Sequence, residues 1–463
     1  MNRVVIVGGG PGGYEAALVA AQLDADVTVV DRDGLGGSAV LTDCVPSKTL
    51  IATAELMTSI EESRELGVGS GHAENLDAVA SVDLAKINAR VKRLALQQSD
   101  DIARKLDVEG IRVIRGTGRL DGRDSVMATT PDGAQEIISA DVVLLATGAQ
   151  PRVLPTAFPD GERILTWEQV YDLTELPDRL IVVGSGVTGT EFASAYNALG
   201  ADVVLVSSRD RVLPGEDAQA ATVLEDVLTR RGMTVLSKRR ANSATRNGDT
   251  VTVELSDGST VEGSHCLMAV GSIPNTGGLD LEGAGIQLDK GGFVSVDRVS
   301  RTSARGVYAA GDCTGVLMLA SVAAMQGRIA MWHALGDAVK PLNLKAVSAN
   351  VFTAPEIATV GWSQEAVDRG DIDARSIMLP LAGNSRAKMQ GVHDGFVKLF
   401  CRQVTGIVVG GVVVAPRASE LIHPIAVAVE SKLTVDDLAQ AFTVYPSMSG
   451  SVAEAARRLH RSS

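Results

Sequence analysis

The chain has 463 residues, 45% of them apolar and 21% charged, an ordinary composition for a globular protein that at this length calls for two to four domains. A net charge of -13 argues against a nucleic-acid partner and against a polybasic membrane contact. No run of about 18 apolar residues offers a membrane span, and the first strand begins too early for a signal peptide, so a cytoplasmic location is expected. Cys44, Cys266, Cys313 and Cys401 show neither CxxC nor metal-ligand spacing, the histidines are scattered, and no metal site is expected.

In chain order, Val4–Val7 reads as a buried strand, followed by the loop Gly8-Gly-Gly-Pro-Gly-Gly13. An alanine-rich helix then runs from about Tyr14 to Leu23, and a second strand, Val27–Val30, ends at Asp31. Strand, GxGxxG (Gly8, Gly10, Gly13), helix, strand and acid in register form a dinucleotide-binding unit. The glycines permit close approach of a pyrophosphate at the helix N-terminus, and Asp31 can accept a ribose hydroxyl. Residues 59–105 look helical throughout, with charges alternating with Val91, Leu94 and Leu96. The dinucleotide pattern returns as strand Leu180–Val183, loop Gly184-Ser-Gly-Val-Thr-Gly189, helix Glu191–Leu199 and strand Val203–Val206. Two such units imply two dinucleotides. The second carries Gly184, Gly186 and Gly189 but ends in Ser207, Ser208 and Arg209 instead of an acid. Hydroxyls and a guanidinium can bind the 2′-phosphate that an acid would repel, which favours NADPH over NADH. The stretch 240–262 alternates as a half-exposed hairpin does.

Six further segments complete a family pattern. Gly36 to Lys48 reads GGSAVLTDCVPSK and resembles the redox loop of the flavoprotein disulfide reductases, GG-x-C-x4-C-[IV]-P-S-K. Leu144 to Pro151 and Met268 to Asn275 resemble the exits of that family's two nucleotide domains, with Thr147, Gly148 and Gly271 among them. Gly306 to Cys313 resembles its second flavin fingerprint, in which Asp312 would bond the ribityl chain. Residues 351–361 and 418–422 resemble its C-terminal dimerisation domain. The resemblance covers nearly the whole chain and implies an α/β protein with two Rossmann-like domains and a C-terminal α+β domain. It assigns 1–150 and 274–344 to FAD, 151–273 to NAD(P) and 345–463 to the interface of a homodimer.

Two departures mark a branch that lacks the redox disulfide, similar to the mycobacterial-type NAD(P)H quinone reductases. The first cysteine of the loop is Ala39, so only Cys44 remains; the family's C-terminal histidine and glutamate are Tyr445 and Gly450. Thiol interchange has lost its nucleophile, its base and the base's partner. The resemblance places Cys44 at a helix start beside the flavin, where it either packs as a relic or is oxidised by a peroxide and then reduced; pairing with Cys313 stays open. It also places Lys48 near the flavin, ion-paired with Glu191, while Tyr445 either donates a hydrogen bond to an acceptor or fills space. The implied activity is FAD-dependent NAD(P)H:quinone reduction. Transhydrogenation, a single-cysteine flavin peroxidase and a flavin-binding partner subunit are the alternatives.

Overall fold

In a computed structural model, residues 2–68 and 81–460 are described. The chain divides into two compact units. The first comprises Met1–Thr49, Asn88–Arg152 and Gly271–Asn343, and the second Leu50–Ile87, Val153–Val270 and Leu344–Ser463.

The first unit is built on a parallel five-stranded sheet. Its spatial order is Val307–Ala309, Val142–Leu145, Arg3–Val7, Asp26–Asp31 and Arg112–Arg115. Val4, Val5, Ile6 and Val7 are all buried, the mark of a central strand covered on both faces. The crossover helix spans Pro11–Gln22 and begins three residues before the start expected from the sequence. Proline at the first helical position has the right φ and gives up an N–H that would lack a partner there, so Pro11 belongs to the helix and not to the loop.

The second unit carries its own parallel sheet, ordered Thr234–Leu236, Asp202–Val206, Arg179–Val183, His265–Met268 and Ile164–Leu165. Its crossover helix spans Val187–Ala198, again starting earlier than the expected Glu191. The expected hairpin over 240–262 is three antiparallel strands, Ala241–Asn247, Thr250–Leu255 and Thr260–Gly263. The stretch expected to be helical throughout 59–105 is helical only at its ends, in Cys44–Glu62 and Leu84–Val108; residues 63–68 and 81–83 are turn and irregular chain, and the part at 69–80 lies outside the described residues. No helix among the described residues is long and apolar enough to cross a membrane.

Toward the C-terminus, the second unit holds a five-stranded antiparallel sheet ordered Ser348–Val351, Glu356–Gly361, Val408–Ala415, Phe396–Arg402 and Ala374–Pro380. Helices His423–Ser431 and Gly450–Leu459 cover it, closing a core that includes Val397, Leu399, Val413, Ile425 and Ala455. One buried charge lies on the opposite face of this sheet, since strand neighbours of Val397 and Leu399 point away from that core. Lys398 Nζ lies 2.6 Å from Asp217 Oδ2, with the two side chains only 2% and 3% exposed. Asp217 also caps the helix Ala218–Arg230 by accepting the N–H groups of Gln219 and Ala220. A buried pair of this kind gives little net stability, but removing one partner strands the other charge. Lys398→Met is therefore expected to cost on the order of 3 kcal/mol in urea unfolding, and Lys398→Met/Asp217→Asn to regain part of it. A neutral single variant would contradict this account.

Candidate functional site

Each glycine loop is fixed by backbone contact. Gly8 has φ 105 and Gly184 φ 113, values that disfavour any side chain. A Cβ on Gly13 would overlap the Gly8 carbonyl oxygen, and one on Gly189 the Gly184 oxygen. Strand end and helix start are thereby pressed together. Gly10 and Gly186 precede their helices in extended conformation, without a side-chain cap, leaving each helix start open to an anion.

Asp31 is bound into the first loop. Its Oδ2 accepts the N–H of Gly9 at 2.6 Å, and its Oδ1 accepts those of Gly34 at 2.6 Å and Asp33 at 3.1 Å. Burial raises its pKa and these N–H groups draw it back down. A carboxylate offers about four acceptor sites, so one remains for a ribose hydroxyl.

The equivalent position in the second unit behaves differently from the expectation. Ser207 is fully buried; its hydroxyl lies 2.7 Å from that of Ser185 and accepts the N–H of Arg209 at 3.1 Å. It shapes the loop and does not face a phosphate. Ser208 and Arg209 are exposed. Arg211 is also committed inward, donating to the carbonyls of Pro214 and Glu216.

The exits from the two nucleotide segments meet within the first unit. Strands Ala149–Pro151 and Ser272–Pro274 pair antiparallel. Thr147 donates its hydroxyl to the Asn275 carbonyl at 2.8 Å, and the Asn275 N–H donates to the Gly148 carbonyl at 3.0 Å. Gly271 accepts the N–H of Arg152 at 2.9 Å.

In the same unit lie the redox loop and Asp312. Ala39 sits on the short helix Gly37–Leu41, and Cys44 opens the helix Cys44–Glu62. The Asp43 carbonyl accepts the Ser47 N–H at 2.7 Å. Asp43, an acid immediately before the loop's one thiol, was not singled out from the sequence, although its position there is visible. Burial pushes its pKa up, and the Lys48 cation pulls it down. Asp312 follows the strand Val307–Ala309, and its carboxylate accepts no hydrogen bond from any described residue. Burial, then repulsion from Asp43, raises it to about 6. A half-buried acceptor lacking a donor suits a ligand hydroxyl, and with the open helix start it fits the adenine dinucleotide FAD.

No disulfide joins any of the four cysteines. Cys313 is fully buried and its thiol donates to the carbonyls of Ala310 and Leu145; burial pushes it up to about 11. Pairing with Cys44 is therefore not formed. In the second unit, Glu191 is buried and accepts the Phe352 N–H at 2.8 Å. Tyr445 is 85% exposed, beside exposed Val444 and Phe442, and Gly450 is the first residue of the last helix.

A family model described as pyridine nucleotide-disulphide oxidoreductase matches residues 2–327, and that of the corresponding dimerisation domain matches residues 347–456. The chain is 58% identical to the NAD(P)H dehydrogenase (quinone) of Mycobacterium tuberculosis, over 99% of this chain and 94% of the relative. It is 32% identical to the dihydrolipoyl dehydrogenase of Zymomonas mobilis, over 97% of this chain and 96% of the relative. Among solved structures, LpdA from Mycobacterium tuberculosis superposes with a TM-score of 0.94 at 57% identity, covering 100% of both chains.

The raised pKa of Asp312 has a thermodynamic consequence. Without flavin, the folded chain keeps this proton up to about pH 6, against 3.8 for the unfolded chain. Between these values the folded state binds more protons, so its stability falls as pH rises. Asp312→Asn is expected to flatten that loss, by on the order of 2 kcal/mol between pH 4 and pH 7 in urea unfolding of flavin-free protein. An unchanged pH dependence would remove this role.

Proposed function

Since the chain belongs to the pyridine nucleotide-disulphide oxidoreductase family, whose cofactors are FAD and a pyridine nucleotide, we propose that it is a cytoplasmic, homodimeric, FAD-dependent NAD(P)H:quinone oxidoreductase working without a redox disulfide. The observation that carries this reading is Ala39 in the loop whose remaining thiol is Cys44. A methyl group cannot form a mixed disulfide, so electrons must leave by another route. The name printed for the Mycobacterium tuberculosis relative supports a quinone as the acceptor.

Bound FAD would supply the two-electron relay between nicotinamide and quinone. We assign its binding to 1–150 and 274–344, with Gly8, Gly10, Gly13, Asp31, Thr147, Gly148 and Asp312 as contacts. NADPH, preferred over NADH, is assigned to 151–273, with Gly184, Gly186, Gly189, Ser208, Arg209 and Gly271 as contacts and Ser207 shaping the loop. Residues 345–463 form the dimer interface. Lys48 offsets negative charge that develops beside the ring, and Glu191 is assigned with it to the catalytic group. Cys44 packs there without cycling, and Tyr445 either donates a hydrogen bond to the acceptor or fills space beside it.

Purified holoenzyme should oxidise NADPH with a small naphthoquinone and leave lipoamide and oxidised glutathione untouched. Turnover with either disulfide would defeat the proposal. Cys44→Ala should keep quinone turnover, whereas Lys48→Ala should slow anaerobic bleaching of the flavin by NADPH at least about tenfold, the usual scale for losing a group that stabilises developing charge. An unchanged bleaching rate would take Lys48 out of the mechanism.

A further inference from the structure

The nucleotide loop of the second unit holds more cations than its first strand end reveals. Strand Thr234–Leu236 runs parallel to Asp202–Val206, with Leu236 opposite Val206, so the two strands finish at one edge. In an open α/β sheet that carboxyl edge is where ligands bind. Beyond it the two segments stay hydrogen-bonded while leaving the parallel register: Ser207 N–H donates to the Leu236 carbonyl at 2.9 Å, Lys238 N–H to the Arg209 carbonyl at 2.7 Å, and Arg239 N–H to the Ser207 carbonyl at 2.8 Å. Lys238 thus lies directly beside Arg209, although 29 positions in the chain separate the two residues.

Three features select this pair. The neighbouring cations are occupied, Arg211 on the carbonyls of Pro214 and Glu216 and Arg239 on Asp257 at 3.1 Å. Arg209 and Lys238 are exposed, and neither side chain has an ion pair or hydrogen bond to a described residue. Lys238 is also held at φ 57, a left-handed conformation that costs a lysine free energy and persists only where the surroundings impose it. The loop from Ser207 to Asp217, which carries Arg209, is pinned at both ends, by Ser207 on Ser185 and by Asp217 on Lys398. The charged residues that adjoin the pair in sequence, Asp210 and Arg240, are exposed and opposite in sign.

We infer that Lys238 and Arg209 together grip the 2′-phosphate of the adenine nucleotide, with Lys238 a specificity-determining residue supplied by the neighbouring strand. The inference rests on the NADPH preference proposed above. Holoenzyme is titrated calorimetrically, at low salt, with 2′-phosphorylated and with unphosphorylated adenosine 5′-monophosphate. The wild type should prefer the phosphorylated ligand. Lys238→Met should weaken that ligand about tenfold, as expected for losing one charge-assisted contact, and leave the unphosphorylated one unchanged. Lys238→Arg should retain the preference, and Lys238→Gly, which relieves the backbone strain, should lose it as Lys238→Met does. If Arg209→Met abolishes the preference while Lys238→Met keeps it, Lys238 has no part in the grip and the NADPH reading survives. A wild type without any preference would overturn that reading and this inference with it.

Discussion

Strand end pressed against helix start is the contact on which the rest of the molecule depends, and it occurs twice. With Gly13 against the Gly8 carbonyl and Gly189 against that of Gly184, no side chain fits between the two elements. The first helical turn is left uncapped, facing outward from the sheet edge. Backbone N–H groups there can meet a pyrophosphate without a charged side chain, because the aligned peptide dipoles already favour an anion. One geometry therefore serves two nucleotides, and discrimination falls to what stands at the end of the next strand. Asp31 is stitched in by three backbone N–H groups; Ser207 is stitched in by Ser185 and the Arg209 N–H. The acid keeps one acceptor site open, while the serine surrenders the exterior to its neighbours.

The redox loop shows the same economy in another form. Its backbone frame survives without the first thiol, because Gly36 and Gly37 supply left-handed conformations and the Ser47 N–H closes on Asp43 whatever side chain occupies position 39. Alanine in place of the family's first cysteine leaves the frame of this loop intact. What then surrounds Cys44 is a set of charges: Asp43, Lys48 and the carboxylate of Asp312, each felt by another through a poorly solvated region. The links run through Asp43: Lys48 lowers it and it raises Asp312, so replacing Lys48 shifts Asp43 and replacing Asp43 shifts Asp312.

Most of the fold was legible in the sequence, because glycine spacing and apolar runs are local signals. Strand, glycine loop, helix and strand follow one another over both expected stretches. Helix starts were misjudged because Pro11 and Val187 read as loop until the caps are seen. The third strand at Thr260–Gly263 was missed since it is too short to alternate clearly. Ser207 misled for a deeper reason: whether a hydroxyl faces ligand or loop depends on Ser185, 22 positions earlier, and no local pattern encodes that. Lys398 with Asp217, and Lys238 beside Arg209, are likewise products of chain crossing. Asp43 was in plain view, but its importance lies in its neighbours.

The central claim is that flavin is the chain's one two-electron store. Anaerobic titration of the holoenzyme with NADPH measures that capacity directly. Complete bleaching after one equivalent per flavin, with colour restored by one equivalent of quinone, is the predicted result. A requirement for two equivalents would reveal a second redox couple in the protein and contradict the account.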